Sequence, residues 1–312
     1  MARFTADGGI LAGKLIIVMY GLLAIGFLLY FPLTLVNKLA SKNTKDKETV
    51  FKFSLYNAAV GALIGFFVAA LERESFSFDW ITLSTAFFLG VTLAAYQVAM
   101  LYALKQASVA IVNMIITASV IFPCIFGMVF FHEPISVGKI VGIIGFLIAA
   151  YFITDENDKK NRSFTWKSLL LCCTASLMSG LGSISMQVFS KYATQNGTPV
   201  FMFYSYCFNV LTLFVFVCIL RKQREENTEK PQRFSKNLLI IGALSAVLAF
   251  FIRQINVVLA NAIPAAILFP VLKSGSLIFG AVIGRFVFKE NLYAKNMIGI
   301  VLCVTALIVL NL

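Results

Sequence analysis

Ten apolar runs organise this chain, and each is long enough to cross a bilayer as a helix. They cover residues 15–37, 52–71, 80–104, 107–131, 137–154, 165–190, 199–220, 237–259, 262–285 and 293–311. About 20 consecutive apolar residues suffice for a crossing. In hydrocarbon every backbone N–H and C=O must find its partner inside the protein, so such runs fold as helices or as the strands of a closed barrel. Barrel strands are about ten residues long and alternate strictly. The run "FFLGVTLAAYQVAMLYAL" at 87–104 is instead continuously apolar with isolated polar residues, which predicts helix. The N-terminal stretch "MARFTADGGILAGK" lacks the pattern of a cleaved leader, because the apolar run behind it is long and no small-residue cleavage pattern closes it. It is read as leading into a first span.

Composition supports the same class. The 312 residues are 60% hydrophobic and 13% charged, against roughly 25% charged in soluble domains. The net charge of +12 would suit nucleic acid if it formed a surface, but the basic residues sit in short connectors such as "NKLASKNTKDKE" and "RKQREENTEKPQRFSKN". There they read as topology signals and headgroup contacts. Most of the 26 Lys and Arg follow odd-numbered spans. The positive-inside rule then predicts both termini outside the cytoplasm, in a plasma or inner membrane. The connectors are too short to be soluble modules. The six cysteines lie inside apolar runs without metal-ligand spacing and read as small packing residues.

Enzymatic motifs are missing. "HEPIS" opens like a zinc-binding HExxH helix, but its fifth position is Ser136, and His132 is the only histidine. No GxSxG and no phosphate-cradling GxxxxGK[ST] occurs. No catalytic residue, metal or cofactor is expected.

The two halves of the chain resemble each other. A shift of 157 residues places Gln97 on Gln254, Ser119 on Ser276, Gly127 on Gly284, Glu133 on Glu290 and Gly142 on Gly299. Nearer the start of each half the shift is 152, and Tyr56-Asn57 meets Phe208-Asn209. Five crossings per half invert the second half relative to the first. The predicted fold is therefore an all-α integral membrane protein, with ten transmembrane helices as two inverted-topology five-helix repeats, residues 1–157 and 158–312. That architecture recurs in secondary transporters.

The segments "ALKQASVAIV" and "PCIFGMVFFHEPISVGKIVGIIGFLIA" resemble the drug/metabolite transporter superfamily, in its EamA-like branch. Pro123, Glu133, Gly138 and Gly142 fit the pattern in the first half, and Glu290 and Gly299 in the second, where Gly280 replaces the proline. The resemblance implies ten helices and a central cavity lined by spans 1–4 and 6–9, with spans 5 and 10 at the periphery. It also implies transport of a small metabolite such as an amino acid, a nucleotide sugar or a phosphorylated sugar.

Polar residues inside spans are the candidate binding groups, because lipid-facing positions reject them. They are the repeat pairs Gln97 with Gln254 and Asn57 with Asn209, together with Asn113 and Thr117, which share a helix face four residues apart. Each amide could equally tie helices together. Tyr20, Tyr96 and Tyr206 could offer hydroxyls. Lys273 and Arg253 stand out, for a charge at the centre of a span costs about 2.5–3.5 kcal/mol even on insertion scales. No Asp or Glu lies at comparable depth. An anionic solute would supply the missing counter-charge. Glu133 and Glu290, at span ends, are read as structural.

The functional expectation is a secondary transporter of a small polar metabolite carrying a carboxylate or phosphate. The expected partners are that solute and the lipid bilayer, with the protein a monomer or homodimer and no nucleic acid bound. One alternative is a transporter of a neutral solute of nucleoside or sugar type, with Lys273 merely lining a wet cavity. A second is a membrane receptor or structural protein.

Overall fold

A computed structural model describes residues 3–44, 46–132, 166–193, 195–225 and 235–289, with scattered helical positions between 138 and 148 and between 298 and 306. Eight helices long and apolar enough to cross a membrane occur among the described residues. They are α1 (Arg3–Asn43), α2 (Lys47–Leu71), α3 (Trp80–Gln106), α4 (Val109–Phe130), α5 (Trp166–Tyr192), α6 (Thr198–Glu225), α7 (Lys236–Ala260) and α8 (Ala265–Val287). Most of the expected spans 137–154 and 293–311 lies outside the described residues, as do Glu133 and Glu290.

Local chemistry sets the helix ends. Asp79 starts α3, its carboxylate accepting from the amides of Ile81 (3.2 Å) and Thr82 (3.1 Å). Ser108 and Ser235 do the same for α4 and α7. Such side-chain acceptors satisfy amides that the first helical turn leaves without partners. α4 is broken by a 3₁₀ turn at Ala118–Val120, ahead of Pro123, whose ring cannot donate to the preceding turn and crowds it. α8 closes with a π turn, Ile283–Val287.

α1 runs further than expected, to Asn43. Lys38, assigned from sequence to a connector, is 7% exposed, and its Nζ donates to the carbonyls of Leu104 (3.0 Å) and Ala107 (3.2 Å). The negative end of the α3 dipole receives the ammonium, so this lysine is satisfied inside the bundle.

The bundle buries many polar side chains and exposes many large apolar ones. Phe67, Phe286 and Ile17 are strongly exposed, whereas Asn57, Asn113, Gln187, Asn209 and Asn256 are buried. A soluble protein would reverse this; lipid as solvent explains it.

Exchanging the halves reproduces the pattern of helix contacts between them. α1 packs on α7 as α5 packs on α3, α1 on α8 as α5 on α4, and α2 on α7 as α6 on α3, while α2 pairs with α6 and α4 with α8. Detail follows the same exchange. Gly90 of α3 lies against Phe208, and Gly242 of α7 lies against Tyr56. His132 and Lys289, 157 residues apart, both turn the chain at φ 53° after a membrane helix. α1 and α8 run parallel, with Gly26 against Leu272, Phe27 against Gly275 and Phe31 against Phe279.

Candidate functional site

Two adjoining cavities open within the bundle. The larger, about 630 Å³ of empty space, is lined from α1, α3, α4, α5, α7 and α8; its polar residues are Tyr30, Tyr96, Ser179, Ser183, Arg253, Asn256, Lys273 and Ser276. The smaller, about 390 Å³, includes Asn37, Ser54, Asn57, Gln97 and Ser245. Leu33, Tyr96, Ala249 and Arg253 line both. Arg253 therefore stands at the junction. Among the described residues no Asp or Glu lines either cavity.

Lys273 is aimed into the larger cavity by the packing of its own helix. On α8, Gly275 lies so close to α1 that a methyl group there would sit 2.8 Å from the Phe27 carbonyl oxygen. This pins α8 to α1, and Lys273 reaches across to α5, where its Nζ donates to Ser179 Oγ at 2.5 Å. Ser119 Oγ also reaches Ser179 Oγ, at 3.4 Å.

Arg253 is held from behind. Its Nη1 donates to Tyr206 Oη at 2.7 Å, and the guanidinium lies 5.8 Å from that ring's centroid. Tyr206 is fully buried and packs on Gly61 of α2, where any side chain would displace it. One of five guanidinium donors is thereby used and the group is oriented. Both cations are half-buried and face hydroxyls, not carboxylates.

The amides divide. Asn57 Oδ1 accepts from Gln97 Nε2 at 2.8 Å, and Asn57 Nδ2 donates to the Gly242 carbonyl at 3.2 Å. Both residues line the smaller cavity. Their counterparts line neither cavity. Asn209 is fully buried with neither amide atom hydrogen-bonded, and the Gln254 Oε1 is buried without a partner. Asn113 and Thr117 also lie outside both linings. Asn113 Nδ2 donates to the Ser276 carbonyl (3.3 Å) and Thr117 Oγ1 to the Asn113 carbonyl (2.7 Å). Gly280, where the first half carries proline, is what lets Asn113 come close to α8.

The structure thus gathers Lys273 and Arg253 around one cavity and Arg253, Asn57 and Gln97 around the other. Of the tyrosines, Tyr96 lines both, Tyr206 holds Arg253, and Tyr20 is 66% exposed on the outer face. Sequence reasoning passed over Ser179, Asn256, Tyr30 and Asn37. Asn256 was the most legible of these, sharing a helix face with Arg253 three residues earlier. No group of three or more His, Cys, Asp or Glu that could hold a metal forms among the described residues.

An uncharacterized protein of Haemophilus influenzae (strain ATCC 51907 / DSM 11121 / KW20 / Rd) is 23% identical over 222 residues, 70% of this chain and 72% of its own length. A protein of known crystal structure shares the fold with a TM-score of 0.66 at 12% identity, covering 94% of this chain and 96% of that one. The model of the EamA-like transporter family matches twice, at residues 22–155 and 166–312. With one match to each half and nearly the whole sequence included, the chain belongs to the EamA-like transporter family.

Proposed function

We propose that the protein is a secondary transporter of a small metabolite carrying an anionic group, working by alternating access between two inverted five-helix repeats, residues 1–157 and 158–312. One observation carries the anionic reading: Arg253 and Lys273 line a single cavity that, among the described residues, no carboxylate lines. Buried positive charge without a counter-ion is unfavourable in a bundle surrounded by hydrocarbon. A carboxylate or phosphate entering the cavity relieves it and gains charge-assisted hydrogen bonds. The repeat reading draws support from the double family match, the exchangeable helix contacts and the two left-handed corners at His132 and Lys289. Two such halves rocking about a shared cavity expose it to each side in turn. The charge bias of the connectors argues for both termini outside the cytoplasm, which a C-terminal topology reporter tests.

The functional test is a thermal-stability screen of a metabolite library on the purified protein, followed by Lys273→Met. Stabilising solutes should be anionic. The Lys273→Met variant should remain folded by size-exclusion chromatography and lose their effect. Stabilisation by neutral solutes alone overturns the anionic reading and favours a neutral solute, and undiminished binding of anions to the variant overturns the role given to Lys273.

A further inference from the structure

We infer that the larger cavity selects solutes of net negative charge that carry no ammonium group, and so rejects the amino-acid form of an acid that it accepts. This narrows, and rests on, the anionic reading above. It depends on the polar groups that the described residues turn to the cavity. Two of them, Lys273 and Arg253, are cations. The others are the hydroxyls of Tyr30, Tyr96, Ser179, Ser183 and Ser276 and the amide of Asn256. A zwitterion brings a carboxylate that these cations welcome and an ammonium that nothing neutralises. In a cavity of a few hundred Å³ that ammonium would lie within the field of two half-buried like charges. The hydroxyls can accept its hydrogen bonds, but neither they nor the amide carry a charge to set against it. A second carboxylate, a phosphate or a hydroxyl in the same place meets no such penalty.

Asn256 is the position that sets this preference. It projects from α7 one turn beyond Arg253, lines the same cavity and is 5% exposed. Its side chain is hydrogen-bonded to Tyr30, while its Oδ1 has no partner. The amide nitrogen therefore makes the Tyr30 bond, and the orphaned oxygen is where a carboxylate oxygen would stand if the residue were aspartate. An acid here would set a negative charge against the cations and against a solute ammonium. The neutral isostere sets none.

The test uses the full-length purified protein in lipid nanodiscs and three matched pairs: succinate and aspartate, lactate and alanine, glycerol 3-phosphate and phosphoethanolamine. Within any pair that binds, the ammonium-free member should bind tighter by about tenfold or more, the scale expected of like charges a few ångströms apart in a partly buried site. Asn256→Asp, nearly isosteric, should shrink that ratio or reverse it. Ser276→Asp, which adds an acid to the same cavity wall, serves if Asn256→Asp does not fold. Equal or tighter binding of the ammonium members overturns this inference while leaving the anionic reading in place. An unchanged ratio in both acid variants overturns the assignment of the preference to this wall. Binding by none of the six overturns the anionic reading and this inference with it.

Discussion

Leucine in place of Asn57 should destabilise the protein, and leucine in place of its repeat counterpart Asn209 should stabilise it. The two asparagines stand 152 residues apart and are 2% and 0% exposed, yet only Asn57 is hydrogen-bonded. Asn57→Leu removes the bonds to Gln97 and to the Gly242 carbonyl. Interhelical hydrogen bonds in bilayers average about 0.6 kcal/mol each. Stranding the Gln97 amide, whose Oε1 already lacks a partner, adds roughly 1 kcal/mol or more. The expected loss is about 2 kcal/mol. Asn209→Leu removes two buried polar atoms that have no partner to lose. Relief of that desolvation is worth about 1–3 kcal/mol, offset in part by repacking a branched side chain. The net expectation is a gain of about 1 kcal/mol. Each variant would be heated in detergent and the surviving folded fraction read by size-exclusion chromatography. Adding Gln97→Leu to Asn57→Leu should cost less than the two single losses summed, since the partners fall together. Equal destabilisation by Asn57→Leu and Asn209→Leu would refute the reasoning, because it would mean that Asn209 has a partner.

Three further outcomes follow from local geometry. Gly90→Ala should lower the melting temperature and yield, because the new methyl would lie 2.7 Å from the Ser205 carbonyl oxygen and 2.8 Å from the Asn209 amide, backbone atoms that cannot swing aside. Lys38→Met should destabilise by about 1–3 kcal/mol by stripping a charged donor from the end of α3; Lys38→Arg should recover part of this in the same thermal assay. Burial raises the Asp79 pKa, but bonds from the Thr82 hydroxyl and the amides of Thr82 and Ile81 outweigh it and hold the carboxyl below its ordinary value. Its stabilisation is therefore complete above the ordinary carboxylate pKa and fades as pH falls through the lowered one. Asp79→Ala should cost about 0.5–1 kcal/mol near neutral pH, the low end for a cap this open to water, and thermal melts should show the difference from wild type shrinking in acid.

Membrane class and most span limits were written in the chain. The expected spans 80–104, 165–190 and 237–259 agree with Trp80–Gln106, Trp166–Tyr192 and Lys236–Ala260 to within a few residues. Transfer into lipid acts on each residue in turn, so a linear string records it. The charges of Lys273 and Arg253 were visible for the same reason: they interrupt that string. What holds those charges was not visible. Ser179 lies 94 residues from Lys273 and Tyr206 lies 47 from Arg253, and only the crossing of α8 with α5 and of α7 with α6 brings them together. Nor could the chain foretell that Asn57 would find Gln97 while the matching Asn209 would find nothing. Repeated sequence supplies both copies with the same chemistry, but a single packing arrangement gives them different neighbours. Solvation by lipid is a property of each segment. Cavity walls, counter-ions and hydrogen-bond partners are properties of which segments abut, and those the tertiary structure alone decided.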